Sequence, residues 1–301
     1  MQKILTQKIK TYNSNISLFI RREDLIHPFI SGNKLRKLKY NLVQAKAENH
    51  DTLLTFGGAF SNHIAATAHA GAAYGFKTIG IIRGDELESK IAINPTLKFA
   101  QECGMNFKFV TRENYRHKTE SEYIENLKRE FGNFYHIPEG GTNDFAVKGC
   151  EEILSNEDSQ FDFVCCAVGT GGTISGIINS SLPHQKVLGF PALKGDFLND
   201  EIRKFATNKN WKLIDWYDFG GYGKVNTNLI TFINQFYLDY GVPLDPVYTG
   251  KMAFGIMDLI QKNYFPEHSK ILMIHSGGLQ GIKGMNLKLT KKKLLTIDFN
   301  V

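Results

Sequence analysis

Lys34 lies in Ser31-Gly32-Asn33-Lys34-Leu35-Arg36-Lys37-Leu38, and its amine is the first candidate nucleophile in the chain. A lysine amine attacks an aldehyde only when it is deprotonated. Arg36, Lys37 and Lys39 crowd Lys34 with like charge, which lowers an ammonium's pKa. Lys37 follows one helical turn later, so both amines share a face if the stretch is helical. The same residues also suit the basic, solvent-facing start of a helix. Far along the chain, Gly169-Thr170-Gly171-Gly172-Thr173 follows an apolar run and precedes a helical pattern. Glycines in that setting let backbone amides crowd an anion, and the helix start adds a favourable dipole. Thr170 and Thr173 add hydroxyl donors. Ile174 stands where the dinucleotide fingerprint needs a third glycine, and no Gly-Lys-Ser/Thr follows as in a nucleotide P-loop. A purely structural glycine turn is the alternative. Together, a reactive lysine and a phosphate cup are what a protein needs to hold pyridoxal 5'-phosphate.

Three further motifs have the same ambiguity. Gly57-Gly58-Ala59-Phe60-Ser61-Asn62-His63 joins a strand end to a helix start, where free amides suit a substrate carboxylate. Ser61 or Asn62 would equally serve there as a plain helix cap. Asp245-Pro246-Val247-Tyr248-Thr249-Gly250-Lys251 and His275-Ser276-Gly277-Gly278 each read as a turn or as a site loop. The latter follows an apolar strand and would place a hydroxyl in the crevice where α/β sheets bind ligands. Nine histidines lack metal spacing, so no metal is expected. Four cysteines (Cys103, Cys150, Cys165, Cys166) are too few for a disulfide framework, and Cys165 and Cys166 are expected as reduced thiols in a strand.

The elements that must position these motifs alternate. Strands are expected at Thr52–Phe56, Lys77–Ile82, Asn106–Val110, Phe134–Ile137, Phe161–Val168, Val187–Phe190, Lys212–Trp216 and Ile271–His275. Helices are expected at Asn62–Tyr74 (closed by Gly75), Asn94–Glu102, Glu120–Phe131, Val147–Leu154, Ser175–Ser180, Leu229–Tyr240 and Phe254–Lys262. That alternation predicts α/β layers with largely parallel sheets. The 301 residues suffice for about two domains. No apolar run approaches the ~20 residues that span a bilayer. Met1 to Lys8 alternates lysine with apolar residues and lacks a signal peptide's apolar block, so a cytoplasmic protein with no membrane partner is expected. Lys291-Lys292-Lys293 supplies half of the net charge of +6 and reads as a solvated tail strand, not a nucleic-acid patch, since neither aromatics nor arginines interleave with it.

In order along the chain, Gly32 to Leu38, Ser61-Asn62-His63, Gly169 to Thr173, Val247 to Lys251 and His275 to Gly278 resemble the 1-aminocyclopropane-1-carboxylate deaminase/D-cysteine desulfhydrase family. The resemblance extends from about Ser17 to Gly278. It implies a two-domain, tryptophan synthase β-like fold (pyridoxal-phosphate fold type II), each domain an open, mostly parallel sheet flanked by helices. The larger domain would comprise residues 1–37 and 145–301, and the smaller inserted one 38–144. It implies that Lys34 binds the cofactor covalently and that Lys37 and Gly169, Thr170, Gly171, Gly172 and Thr173 hold its phosphate. It further implies Asn62 beside the phenolic oxygen, Ser61 near the substrate carboxylate or its protons, and Tyr222 and Tyr248 as active-site tyrosines. Ring-opening deaminases carry a glutamate after the tyrosine matched by Tyr248, and this chain has Thr249. A neutral hydroxyl from Thr249 or Ser276 makes a weaker electron sink of the pyridine ring than a carboxylate does. The resemblance therefore implies β-elimination of D-cysteine or a similar small amino acid, to pyruvate, ammonia and sulfide, by a homodimer. The alternatives are cyclopropane-carboxylate deamination to 2-oxobutyrate and ammonia, and a non-catalytic binder of an amino acid or the cofactor. Thr249, Ser276 and His63 are where the choice of reaction is expected to lie.

Overall fold

Every strand pairing but one is parallel, and the exception lies at a sheet edge. A computed structural model describes residues 4–12 and 15–299. The first three residues of the lysine-alternating start lie outside them. In chain order the elements are β1 (Thr6–Ile9), β2 (Ser17–Arg21), α1 (Asn33–Ala47), β3 (Thr52–Gly58), α2 (Asn62–Tyr74), β4 (Lys77–Arg83), α3 (Pro95–Glu102), β5 (Met105–Val110), α4 (Ser121–Phe131) and β6 (Tyr135–Ile137). There follow α5 (Asp144–Glu151), β7 (Phe163–Val168), α6 (Gly172–Ser180), β8 (Lys186–Pro191), α7 (Phe197–Arg203), β9 (Trp211–Leu213), α8 (Thr227–Tyr240), α9 (Thr249–Gln261), β10 (Lys270–Ile274) and α10 (Gly281–Lys291). A six-stranded sheet has the order β1-β2-β10-β7-β8-β9, and a four-stranded sheet the order β5-β4-β3-β6. The fold is α/β with helices flanking two mostly parallel sheets, as the alternating pattern predicts.

β7 shows why these residues form a central strand. All six positions are buried, as expected of a parallel strand covered on both faces. Phe163, Cys165 and Ala167 pack with Leu229 and Ile256 on one side, and Val164, Cys166 and Val168 with Ile174 and Ile177 on the other. β10 divides its side chains the same way. Cys165 and Cys166 are free, buried thiols, and burial pushes the Cys166 thiol up to about 12.

α1 is placed by a close backbone approach. Gly32 enters it at φ 61°, and a Cβ there would lie 2.0 Å from Ser276 O. Asn33 N donates to that same carbonyl at 3.1 Å. Only glycine permits this contact, which fixes the first turn of α1 against the loop leaving β10. α1 then packs on α5, where Gly149 sits against the Arg36 carbonyl. The basic stretch is not solvent-facing. Arg36 is buried and pairs with Glu23 at 3.0 Å and Glu152 at 3.4 Å, Lys37 is buried, and only Lys39 is exposed.

Several boundaries differ from expectation. The strand expected at Lys212–Trp216 is limited to Trp211–Leu213, an edge strand paired only with β8, and the chain then turns at Asp215–Tyr217. α9 starts five residues early because the Asp245 carboxylate accepts from the amides of Val247, Tyr248 and Thr249, which seeds the first turn. α5 and α6 each start three residues early; Asn143 caps α5 by accepting from Ala146 N. Lys291-Lys292-Lys293 is no strand: Lys291 ends α10, and Lys293 adopts φ 55° in the turn after it. The boundary expected between residues 37 and 38 falls inside α1.

Replacing Gly32 with alanine should destabilise the protein by about 1–3 kcal/mol through overpacking alone, with the left-handed φ adding to it. A urea unfolding midpoint unchanged from wild type would contradict this account of the α1–β10 junction.

Candidate active site at the strand ends

Four loops leave the carboxyl ends of parallel strands and meet at one cavity, the usual ligand position in open α/β sheets. β7 supplies Gly169, Thr170, Gly171 and Thr173, and β10 supplies Ser276, Gly277 and Gly278. Gly140 comes from the loop after β6, and Asn62 opens α2 after β3. α1 adds Asn33, Lys34 and Lys37, and Tyr248 closes the wall.

Lys37 ties the two sheets together. Its Nζ donates to Gly140 O at 2.9 Å, Thr142 Oγ1 at 2.9 Å and Thr170 Oγ1 at 3.4 Å. The residue is only 2% exposed, and among the described residues no carboxylate pairs with it. Burial lowers its amine from the usual lysine value. A cation buried among neutral oxygens lacks compensating charge, which an anion beside the amides of 169–173 would supply. Gly172 leaves the approach open: a Cβ there would sit 3.2 Å from Lys37 Nζ and 2.9 Å from Thr142 Oγ1.

Lys34 lies one turn earlier on the same helix. Its Nζ donates to Asn33 Oδ1 at 3.3 Å, and Asn33 Nδ2 donates to Thr173 Oγ1 at 2.8 Å. Burial, then the neighbouring Lys37 ammonium, lowers the Lys34 amine to about 7. Near neutrality a substantial fraction is therefore the free base that aldehyde chemistry requires. Tyr248 packs over Gly169, whose Cβ would lie 3.1 Å from the ring. Tyr222 meets Tyr248 edge-on at a centroid distance of 6.1 Å. Burial, then Tyr222, raises the Tyr248 phenol well above its ordinary value, so it stays protonated.

Other expected residues are tied into the surrounding structure. Ser61 caps α2, accepting from His63 N at 3.2 Å and Ile64 N at 3.4 Å. The Thr249 hydroxyl is fully used: it donates to Asp245 Oδ1 at 2.8 Å and accepts from Asp245 N at 2.9 Å. Of the two hydroxyls expected near the pyridine nitrogen, Ser276 lines the cavity and Thr249 does not. Asn62 is held by Gln280 Nε2, which donates to its Oδ1 at 2.6 Å. His63 is also recessed. Thr55 Oγ1 donates to Ile137 O at 2.8 Å and must therefore accept from His63 Nε2 at 2.8 Å, so the imidazole carries its proton on Nε2. Burial, then Lys34 and Lys37, lowers its pKa well below the usual histidine value. Sequence reasoning missed Thr142 and assigned no role to Asp245. Gly140-Gly141-Thr142 after a strand end was the available signal for the first.

These groups suit an aldehyde cofactor held by a lysine at one end and a glycine loop at the other. A family model described as pyridoxal-phosphate dependent enzyme matches residues 5–277. The chain is 31% identical over 295 residues to the mitochondrial bifunctional D-cysteine desulfhydrase/1-aminocyclopropane-1-carboxylate deaminase of Arabidopsis thaliana, over 88% of this chain and 73% of that protein. It is 29% identical over 303 residues to the 1-aminocyclopropane-1-carboxylate deaminase of Rhizobium rhizogenes, over 89% of each chain. The crystal structure of an ACC deaminase homologue aligns with a TM-score of 0.82 at 28% identity, covering 97% of this chain and 94% of that one. The chain belongs to the pyridoxal-phosphate-dependent enzymes, within the 1-aminocyclopropane-1-carboxylate deaminase/D-cysteine desulfhydrase family that its motifs resemble. Its cofactor is pyridoxal 5'-phosphate, and its fold is the type II fold of those enzymes.

The depressed Lys34 amine has a stability consequence. Between pH 7 and the ordinary lysine value of 10.5, the unfolded chain binds a proton that the folded chain does not. Folding that charged amine is thus most costly at and below pH 7, and the cost fades as pH rises toward 10.5. Cofactor-free Lys34→Met should melt several degrees above cofactor-free wild type at pH 7, with the gap closing toward pH 10. A gap that is constant with pH would contradict the assignment.

Proposed function

We propose that this enzyme catalyses β-elimination from a small amino acid, with D-cysteine or a similar substrate giving pyruvate, ammonia and sulfide. The carrying observation is the pair of neutral hydroxyls at Thr249 and Ser276. Where a glutamate would face the ring nitrogen, this chain has a threonine whose hydroxyl is spent on Asp245. The Asp245 carboxylate in turn accepts from three backbone amides and that hydroxyl. Ser276 then presents a neutral hydroxyl at the cavity wall. Bound pyridoxal phosphate supplies the electron sink that stabilises negative charge at the substrate α-carbon. A neutral partner weakens that sink, which suits a substrate whose leaving group drains the charge at once.

In this reading Lys34 binds the cofactor covalently. Lys37 and residues 169–173 receive its phosphate, and Asn62 and Ser276 face its ring. The Lys34 amine, at about 7, is suited to take the α-proton. Tyr248, kept protonated, serves as a donor beside the leaving group, with Tyr222 positioning it. The Ser61 hydroxyl keeps its own proton to offer the substrate carboxylate while its oxygen caps α2. We further propose that the two sheets mark two domains, residues 1–37 with 145–301 and residues 38–144, and that the enzyme is a cytoplasmic homodimer. The exposed Val43 and Tyr74 on the apolar face of α1 and α2 support the dimer. Among the described residues no helix is long and apolar enough to cross a membrane.

The test measures sulfide from D-cysteine against 2-oxobutyrate from 1-aminocyclopropane-1-carboxylate on the same preparation. The expected kcat/KM ratio favours D-cysteine by about tenfold or more, a barrier difference of roughly 1.4 kcal/mol. A ratio favouring the cyclopropane substrate would overturn the proposal, and tight binding of both without turnover would point to a non-catalytic binder.

A further inference from the structure

A second groove adjoins the site and is built for an anion. It opens beside Gly58 and Ala59, where the chain leaves β3 toward Ser61 and Asn62, and has a volume of ≈ 640 Å³. Its far wall carries Arg83, Arg112, Arg116 and Lys118. Arg112 is engaged by Glu86, with Asp85 also acting on it, and Lys118 by Glu139 at 3.4 Å. Arg83 and Arg116 differ: both are exposed, and among the described residues neither side chain is paired with a carboxylate. Arg83 is also held in place. Its guanidinium lies 5.7 Å from the ring centre of Tyr115, whose hydroxyl donates to Glu139 Oε1 at 2.8 Å. A phenol fixed beneath a guanidinium limits its freedom without consuming its donors.

The groove neighbours the catalytic cavity: Gly58 to Phe60 line the one and Asn62 the other, and Glu139, bonded to Tyr115 of the groove, precedes Gly140 of the cavity. A Cβ on Gly58 would lie 3.7 Å from Arg83 Nη2, so the arginine reaches back over the β3 end. The Arg83 charge also acts on the phenol of Tyr222, the partner of Tyr248. Half-exposed Phe60 lines the groove, its ring seated against Gly284 of α10.

We propose that this groove receives the anionic end of the substrate. The substrate class is then a small amino acid whose β-leaving group bears a carboxylate, phosphate or sulfonate, with the amino-acid end toward Lys34 and the anion between Arg83 and Arg116. This rests on the reading of the cavity as an amino-acid site. D-cysteine carries no oxyanion on its side chain to meet these arginines, so the inference narrows which similar substrates the enzyme favours. Planar guanidinium groups match the oxygen geometry of all three anions.

The test compares 2-amino-3-phosphonopropionate, whose carbon–phosphorus bond does not eliminate, with alanine. Both enantiomers are titrated calorimetrically into the holoenzyme. One enantiomer of the phosphonate should bind about tenfold or more tighter than the matching alanine, and less so at high salt. In Arg83→Gln/Arg116→Gln the two affinities should converge. Equal affinities in wild type, or a gap that survives in the double variant, overturns the proposal. If neither amino acid binds, the amino-acid reading of the cavity fails, and inorganic phosphate decides the groove. Phosphate binding to wild type and not to the double variant then supports the groove, and its absence from wild type overturns it.

Discussion

The structure turns on one buried cation. Lys37 lies at the junction of two sheets, and neutral oxygens from two loops, Gly140 to Thr142 and Thr170, surround its ammonium. An ammonium removed from water without an acid partner is costly, and that cost organises the site. An anion in the glycine loop at residues 169–173 would offset it. The charge also reaches the neighbouring groups, helping burial to hold the Lys34 amine near neutrality and the His63 ring uncharged. In the proposed reading, one charge serves both the phosphate end of the cofactor and the reactive end.

Holding that charge in place requires rigid supports, which come from strand ends rather than long loops. Both sheets direct the carboxyl ends of their parallel strands to the same cavity, so four short loops converge there. The Gly32–Ser276 contact locks the first turn of α1 to the end of β10. Lys34 and Lys37 then follow at helical spacing, set by backbone geometry and not by side-chain adaptation. At this junction Ser276 lines the cavity, while Thr249 binds Asp245.

Most strands and the helix Asn62–Tyr74 were legible because apolar runs ended in glycine pairs or clear caps. The buried strand Phe163–Val168 and the glycine run after it needed only local signals. The short edge strand Trp211–Leu213 was overextended, because pairing with one neighbour, and not residue type, sets its length. The true start of α9 was hidden because a side chain before a proline, Asp245, seeds it. Lys34 was ambiguous for the same reason: its basic stretch resembles a solvent-facing helix start until Glu23 and Glu152, remote in sequence, bury Arg36. His63, expected to bear on reaction choice, lies recessed instead on Thr55.

The central claim is that Lys34 is the covalent anchor of the cofactor, made reactive by burial beside Lys37. Borohydride reduction of the holoenzyme followed by peptide mapping tests it directly. The account predicts a reduced pyridoxyl group on Lys34, with no other lysine labelled. Label on Lys37 or Lys251, or no fixation in protein that contains the cofactor, would contradict it.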